Sequence, residues 1–452
     1  MTPKRMKWRT RYGFYLAAIG SAFGLGNLWR FPYIVSENGG GAFVLLYVLL
    51  AMSLGLPILI AELILGQSQR QPVIAATRSL KMREGGRSFR WVGRICFGLA
   101  LLVLSYYAVI SGWVLYFVVQ FLSEAFVPRG PDQVMSLSAL TDSGFLQIGL
   151  ASVHLIICTA VIARGVHEGI ERWIGSMMPV FGVLLVFLLW QSLSLPTATE
   201  AFRFLFYPNF SALTWNSLGH AIGHVCFTLG VGLGTMVTFG SYLLEKKNIP
   251  AVGYRVALMD TSFSLIAGLV IIPIALAVSN VPLNDPSLLF QSLPGFLQNR
   301  SGGVLFGLGF FVCLYLAALG GSLGLMEVIV SNAKEVFRVS RLFASWLSGS
   351  IVLLFSVVPA VLGSMRKEDS SRSVLENLDA ILINWLLPLT CLFVCVAIAK
   401  GMKRSEIEAN FKGEGASAET QSLFSHWYFA LKWGIPGLIL LGLALQVVGL
   451  FR

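Results

Sequence analysis

The stretch RYGFYLAAIGSAFGLGNLWRFPYIVSENGGGAFVLLYVLL, residues 11–50, opens as a membrane-spanning helix. It then places Gly24, Gly26, Asn27, Arg30 and Pro32 at the depth where lipid demands unbroken backbone hydrogen bonding. Loosened backbone at that depth persists only where it lines a cavity or is buried in protein. This opening is therefore expected to form half of a solute site, and the rest of the chain must supply the other half.

The surrounding sequence supports a membrane setting. Of 452 residues, 56% are hydrophobic and 12% charged, too apolar for a soluble chain of this size. A net charge of +11 would suggest nucleic acid in a soluble protein, but here the basic residues sit in short loops between apolar runs, which is a topology signal. Cys96, Cys158, Cys226, Cys313, Cys391 and Cys395 all lie inside apolar segments, with none at zinc-ligand spacing, and read as packing residues. The first apolar run is too long for a cleavable signal peptide and carries no small-residue cleavage site.

At about 20 apolar residues per span, the chain reads as an all-α polytopic membrane protein with eleven helices. They lie near residues 12–34, 42–69, 91–124, 144–163, 170–192, 214–243, 253–279, 302–334, 340–363, 376–400 and 427–449. Basic residues cluster before the first helix (Lys4, Arg5, Lys7, Arg9) and after the second (Arg70, Arg78, Lys81), which puts the N-terminus in the cytoplasm. Eleven spans then leave the C-terminus outside, in a multi-pass protein of the inner (plasma) membrane. Arg366, Lys367 and Arg372 are a local exception on the outer side. An outer loop around Pro282, Pro286 and Pro294 is expected to form a short helical hairpin, and residues 401–426 read as a cytoplasmic linker.

The sixth helix, HVCFTLGVGLGTMVTF, repeats the opening pattern, with Gly230, Gly232 and Gly234 interrupting an apolar span. Two breaks five helices apart imply two inverted repeats, residues 12–192 and 214–400, preceded by a cytoplasmic segment 1–11 and followed by the linker and an eleventh helix at 427–449. Close helix packing is the competing account of the glycines, but packing does not require Asn27 and Arg30 nearby. Half-helix N-termini attract a carboxylate, and C-terminal carbonyls attract a cation or an ammonium group. The ligand implied is small, amino-acid-like and accompanied by an alkali cation.

The segment GSAFGLGNLWRFPYIVSENGGGAF resembles the first-helix signature of the neurotransmitter:sodium symporter family. The likeness continues through SYYAVISGW in the third helix, FTLGVGLG in the sixth, AAL followed by LMEV in the eighth, and ENLD in the tenth. It implies the leucine-transporter fold with broken helices 1 and 6. It also implies that the Leu25 and Gly26 amides and the Tyr107 hydroxyl hold a substrate carboxylate, while carbonyls of Ala22, Phe227 and Thr228 meet the amine. The side-chain pocket would be lined by Val103, Tyr107, Phe227, Gly230, Leu233, Gly321 and Leu325. Gly230 and Gly321 stand where relatives often carry serine, so volume is expected to be gained and a bulky apolar or aromatic amino acid preferred.

The same resemblance places a first sodium site at Ala22, Asn27, Thr228 and Asp260. A carboxylate within a span costs about 2.5 to 3.5 kcal/mol unless paired, so Asp260 almost demands a cation. Many chloride-dependent relatives carry asparagine there. Tyr47, Thr228 and Ser264 match chloride-site positions, but His224 replaces glutamine, and no chloride is expected. A second sodium site maps to carbonyls of Gly20, Phe23 and Ala317, yet its two hydroxyl ligands fall on Gly320 and Gly321. Ser322 lies about 100° further round the helix and does not substitute. Coupling through the first site alone, protons through Asp260 or His224, and no ion at all remain open.

Arg30 and Asp379 are expected to form an outer gate. Inside, Arg5 would meet Glu335, with Trp8 and Tyr242 covering the junction. Glu62, buried within a span, is expected to satisfy the broken backbone of the first helix. The resulting reading is a secondary active transporter importing an amino acid by alternating access. The alternatives are a sodium-independent or proton-coupled transporter, and a non-transporting amino-acid sensor on the same fold. No paired catalytic aspartates, Ser-Lys arrangement or HExxH occurs on any span, so no enzyme is expected.

Overall fold

The first apolar run does not make one helix. In the computed structural model, which describes residues 7–81, 86, 88–127, 135, 137–243, 248–278, 288–364, 374–413 and 418–450, α1 (Arg11–Ala22) begins where the Thr10 hydroxyl accepts a hydrogen bond from the Gly13 amide at 2.8 Å. It stops at Phe23, whose backbone is extended. A π-helical turn over Gly26–Arg30 leads into α2 (Phe31–Glu37), with Pro32 in the first turn, where its missing N–H is harmless.

Next come α3 (Gly41–Gln69), α4 (Arg90–Phe126), α5 (Gly144–Ala163) and α6 (Val166–Leu193). The second broken span follows as α7 (Ser217–Thr228) and α8 (Thr235–Gly240). Between them Gly230, Gly232 and Gly234 have φ of +63°, +78° and +78°, a left-handed backbone that glycine alone adopts without strain. The chain continues through α9 (Ile249–Ala277), α10 (Gly303–Phe337), α11 (Arg341–Leu362), α12 (Val374–Gly401) and α13 (Gln421–Gly449). A π-helical turn over Ala380–Leu386 interrupts α12.

Among the described residues, nine helices are long and apolar enough to cross a membrane. The two segments of the sequence reading that are missing from this set, residues 12–34 and 214–243, are the two that glycine breaks. Helix α10 packs against α4, α6, α11 and α1, while α7 lies against α3, α13 and the π-helical turn of α12. The broken stretches meet at the centre: a Cβ on Gly26 would sit 3.1 Å from the Phe227 ring and 3.2 Å from Thr228 Cγ2.

Two expectations need correction. Glu62 serves the second break, not the first, since its Oε1 accepts from the Gly232 amide at 2.6 Å. The linker also holds structure: Arg404–Lys412 is helical, with Ile407 and Phe411 buried and Phe411 packed on Phe424 and Trp427. The outer hairpin is present as Leu288–Gln291 and Leu293–Gln298, while Pro282 and Pro286 lie outside the described residues.

Candidate substrate and cation site

Asn27, from the π-helical turn after α1, reaches α9. Its Nδ2 donates to Asp260 Oδ1 at 2.8 Å and to Ser264 Oγ at 2.9 Å, and its Oδ1 accepts from the Gly24 amide at 3.1 Å. Ser264 also meets the Tyr47 hydroxyl at 2.9 Å. Asp260 is fully buried and its Oδ2 has no hydrogen-bond partner. A buried charged oxygen without a partner is strongly unfavourable. A hard cation held by Asp260, the Thr228 hydroxyl and the Ala22 carbonyl would relieve it, joined by Asn27 once its amide turns Oδ1 in place of Nδ2 toward Asp260, and a set made only of oxygens suits such an ion.

Beside this cluster lies a cavity of about 30 Å³. Ala22, Gly26, Tyr107, Phe227, Thr228, Gly230, Leu233, Gly321 and Leu325 all line it, as do Ser21, Gly24 and Thr235, which are not among the lining residues expected from the sequence. Val103, expected in the lining, is buried one turn before Tyr107 and is not among the residues that line the cavity. Leu25 contributes its amide, which donates to the Tyr107 hydroxyl at 2.9 Å and leaves that hydroxyl's own proton free to meet a carboxylate. The glycines act differently from one another. A Cβ on Gly321 would stand 2.6 Å from Tyr107 Oη, so the tyrosine already fills the space that a serine would take; a Cβ on Gly230 would find nothing nearer than 3.7 Å. Extra volume therefore exists at Gly230 and not at Gly321.

At the second cation position Gly20, Phe23, Ala317 and Gly320 do come together, around a cavity of about 10 Å³. The remaining wall is Ile174, Met177, Met178, Phe181 and Leu316, all apolar. That space is at the lower limit for one water. Ser322 faces away, its Oγ 2.8 Å from His154 Nε2.

Above the cavity Arg30 is buried and fully engaged. Its Nε donates to Asp379 Oδ2 at 2.9 Å, Nη2 to Asn384 Oδ1 at 2.6 Å, and Nη1 lies 3.2 Å from His224 Nδ1. The hydroxyls of Tyr33 and Tyr106 complete the carboxylate shell at 3.1 and 3.0 Å. On the opposite side, Trp8 Nε1 donates to the Phe239 carbonyl at 3.2 Å and its ring packs edge-on against Phe239 and Tyr242. The Tyr242 hydroxyl donates to Glu327, which Arg341 grips through both Nη atoms, Nη1 at 3.1 Å from Oε1. Glu335 is exposed two turns further along α10, and Arg5 lies outside the described residues.

The profile of the sodium:neurotransmitter symporter family matches residues 5–129 and 131–448. The chain belongs to this family. Among fellow members, the sodium-dependent transporter YhdH of Bacillus subtilis (strain 168) is 34% identical over 452 residues, covering 99% of this chain and 98% of its own length. A sodium-dependent transporter of Haemophilus influenzae is 28% identical over 449 residues and covers 97% of each. The crystal structure of MhsT in complex with L-phenylalanine superposes with a TM-score of 0.87 at 30% identity, over 98% of this chain and 100% of that one. The fold is accordingly the leucine-transporter fold of the symporter family.

Within this symporter fold, sequence reasoning missed the partners that arrive from distant helices. Asn384 carries no signal beyond being polar inside an apolar run, and His224, which the sequence marks as a chloride-position replacement and a candidate proton carrier, is a partner of Arg30. Glu327 does carry one, as an acid within the apolar part of α10, in plain view in the LMEV motif.

Proposed function

We propose that this protein is a secondary active transporter that imports an amino acid by alternating access, driven by one sodium ion bound between Asn27 and Asp260. The observation that carries the reading is the buried, unpartnered Asp260 Oδ2 next to a cavity at which both helix breaks converge. With sodium bound, the ion ties α9 to the loosened backbone of the first span, and the substrate carboxylate sits against the Tyr107 hydroxyl, which the Leu25 amide orients, and the Gly26 amide within reach of the same ion. Without sodium, the Asp260 charge loses its compensation and that tie is released, so ion and solute favour the same closed arrangement. Closure above by Arg30–Asp379 and below by Trp8, Tyr242 and Glu327 gives the two barriers that alternating access requires.

A bulky hydrophobic or aromatic substrate is supported by the room at Gly230 and by the phenylalanine bound in MhsT. A single sodium site is supported by the apolar wall and the absence of hydroxyls at Gly320 and Gly321. Asp260 supplies the negative charge that chloride would otherwise bring, so chloride has no role. The N-terminus lies in the cytoplasm, the C-terminus outside, in the plasma membrane.

Uptake of labelled phenylalanine into proteoliposomes is the test. An inward sodium gradient drives accumulation with a sodium-activation slope near one; equal uptake in choline would overturn the sodium reading, and binding without flux would identify a sensor.

A further inference from the structure

Thr235 opens α8 at the wall of the substrate cavity, and its hydroxyl is unusual for this part of the chain. Buried threonine and serine hydroxyls in helices ordinarily return to the carbonyl three or four residues earlier. Thr228 does so with Val225, Thr238 with Gly234 at 2.8 Å, and Ser241 with Thr238. Thr235 cannot follow them. The residues three and four before it, Gly232 and Val231, belong to the broken stretch, where left-handed glycines turn the carbonyls out of helical alignment. Gly234 is the N-cap and no side chain caps α8, so capping does not use the hydroxyl either. Thr235 is 2% exposed and its Oγ1 has no hydrogen-bond partner. A buried polar atom left unsatisfied costs stability, and in the wall of a binding cavity a ligand group is the natural partner.

The space beside Thr235 is open on the side of Gly230 and closed by Ser21 on the side of Gly324. A Cβ on Gly230 would come 3.7 Å from Thr235 Cβ, and one on Gly324 would come 3.3 Å from its Cγ2 and overlap Ser21 Oγ. On α10, Gly321 faces Tyr107 at the carboxylate end, while Gly324, one turn on, faces Thr235 and Ser21. The cavity is therefore polar at both ends, and Phe227, Leu233 and Leu325 supply apolar wall.

We propose that Thr235 Oγ1 is the hydrogen-bond partner of a hydroxyl on the substrate's side chain, so that the site selects a hydroxyl-bearing amino acid over its apolar isostere. This rests on the reading of the cavity as an amino-acid site, and with the bulky preference it points to a phenolic side chain such as that of tyrosine. A site built to bond a hydroxyl discriminates strongly, because the analogue lacking it leaves the buried protein group unpaired.

The test is equilibrium binding to the purified full chain in sodium, using two pairs that differ by one hydroxyl in place of a hydrogen or a methyl: tyrosine with phenylalanine, and threonine with valine. Tyrosine is expected to bind at least about tenfold more tightly than phenylalanine. Thr235→Val should bring that ratio to near one, and Thr235→Ser should keep the preference and guard against misfolding. A preference for threonine over valine that Thr235→Val abolishes also supports the hydroxyl partner and corrects only the size of the side chain. Binding without discrimination in either pair, or a preference that survives Thr235→Val, overturns the proposal. Failure of all four to bind removes the amino-acid reading itself.

Discussion

Gly320 on α10 lies so close to the carbonyl oxygen of Gly20 on α1 that any Cβ at position 320 would overlap it. The absent hydroxyl at this position is therefore a matter of helix approach as well as of chemistry. Gly320→Ser pushes α1 away from α10 and is expected to cost about 1–3 kcal/mol of stability through overpacking. The sodium-activation slope should stay near one, because a single added hydroxyl facing an apolar wall does not complete a cation site. Thermal unfolding in detergent and sodium titration of uptake check the two halves of this prediction.

Asp260→Asn removes the one full negative charge from the Asn27 cluster. Sodium-driven uptake in chloride-free medium should fall by at least about tenfold, since the ion loses its charge partner. Wild-type uptake should be unchanged when gluconate is replaced by chloride at fixed sodium. A strong chloride stimulation of the wild type would show that Asp260 does not carry the compensating charge.

Asp379→Asn leaves the Arg30 guanidinium buried without its counter-ion, an arrangement that typically costs about 3–5 kcal/mol where no relaxation occurs. Relaxation is available here, because the gate can open. The expected result is a protein biased toward outer access, read as faster thiol labelling of a cysteine placed at Tyr33 and reduced uptake. Asn384→Ala removes one neutral partner and should produce the same shift with smaller amplitude.

Glu327→Gln and Glu335→Gln separate the two acids of α10. The first removes the buried carboxylate charge that Arg341 grips through both Nη atoms and should lower stability by about 3–5 kcal/mol. The second changes an exposed side chain and should stay within about 0.5 kcal/mol. Melting temperatures of both variants, measured side by side, decide whether Glu327 is the acid that holds this end of the fold.

Much of the centre was legible because membrane depth makes polar residues and glycines conspicuous. Asn27 and Asp260 stood out as groups that lipid does not tolerate, and they meet each other. Arg30 and Asp379 pair for the same reason. What stayed hidden depends on approach distances that no one-dimensional pattern encodes. Glu62 was legible as a buried acid, but which of two similar breaks it served was not. Gly321 looked like gained volume until the Tyr107 hydroxyl was found in the space. Glu335 matched a family position, whereas Glu327 was selected by the three-dimensional reach of Tyr242 and Arg341.

The π-helical turn over Ala380–Leu386 sets a counting rule for the Arg30 cluster proposed as a gate. Asp379 and Asn384 are five residues apart, and on a regular α-helix, at 100° per residue, they would point about 140° away from each other. Hydrogen bonding from i to i+5 brings residues five apart back to one side, so both reach the same guanidinium. The gate thus depends on one surplus residue in α12. A single-residue deletion inside this turn, although it would leave a longer unbroken helix, would rotate one of the two partners off Arg30 and loosen the hold of α12 on the first broken span.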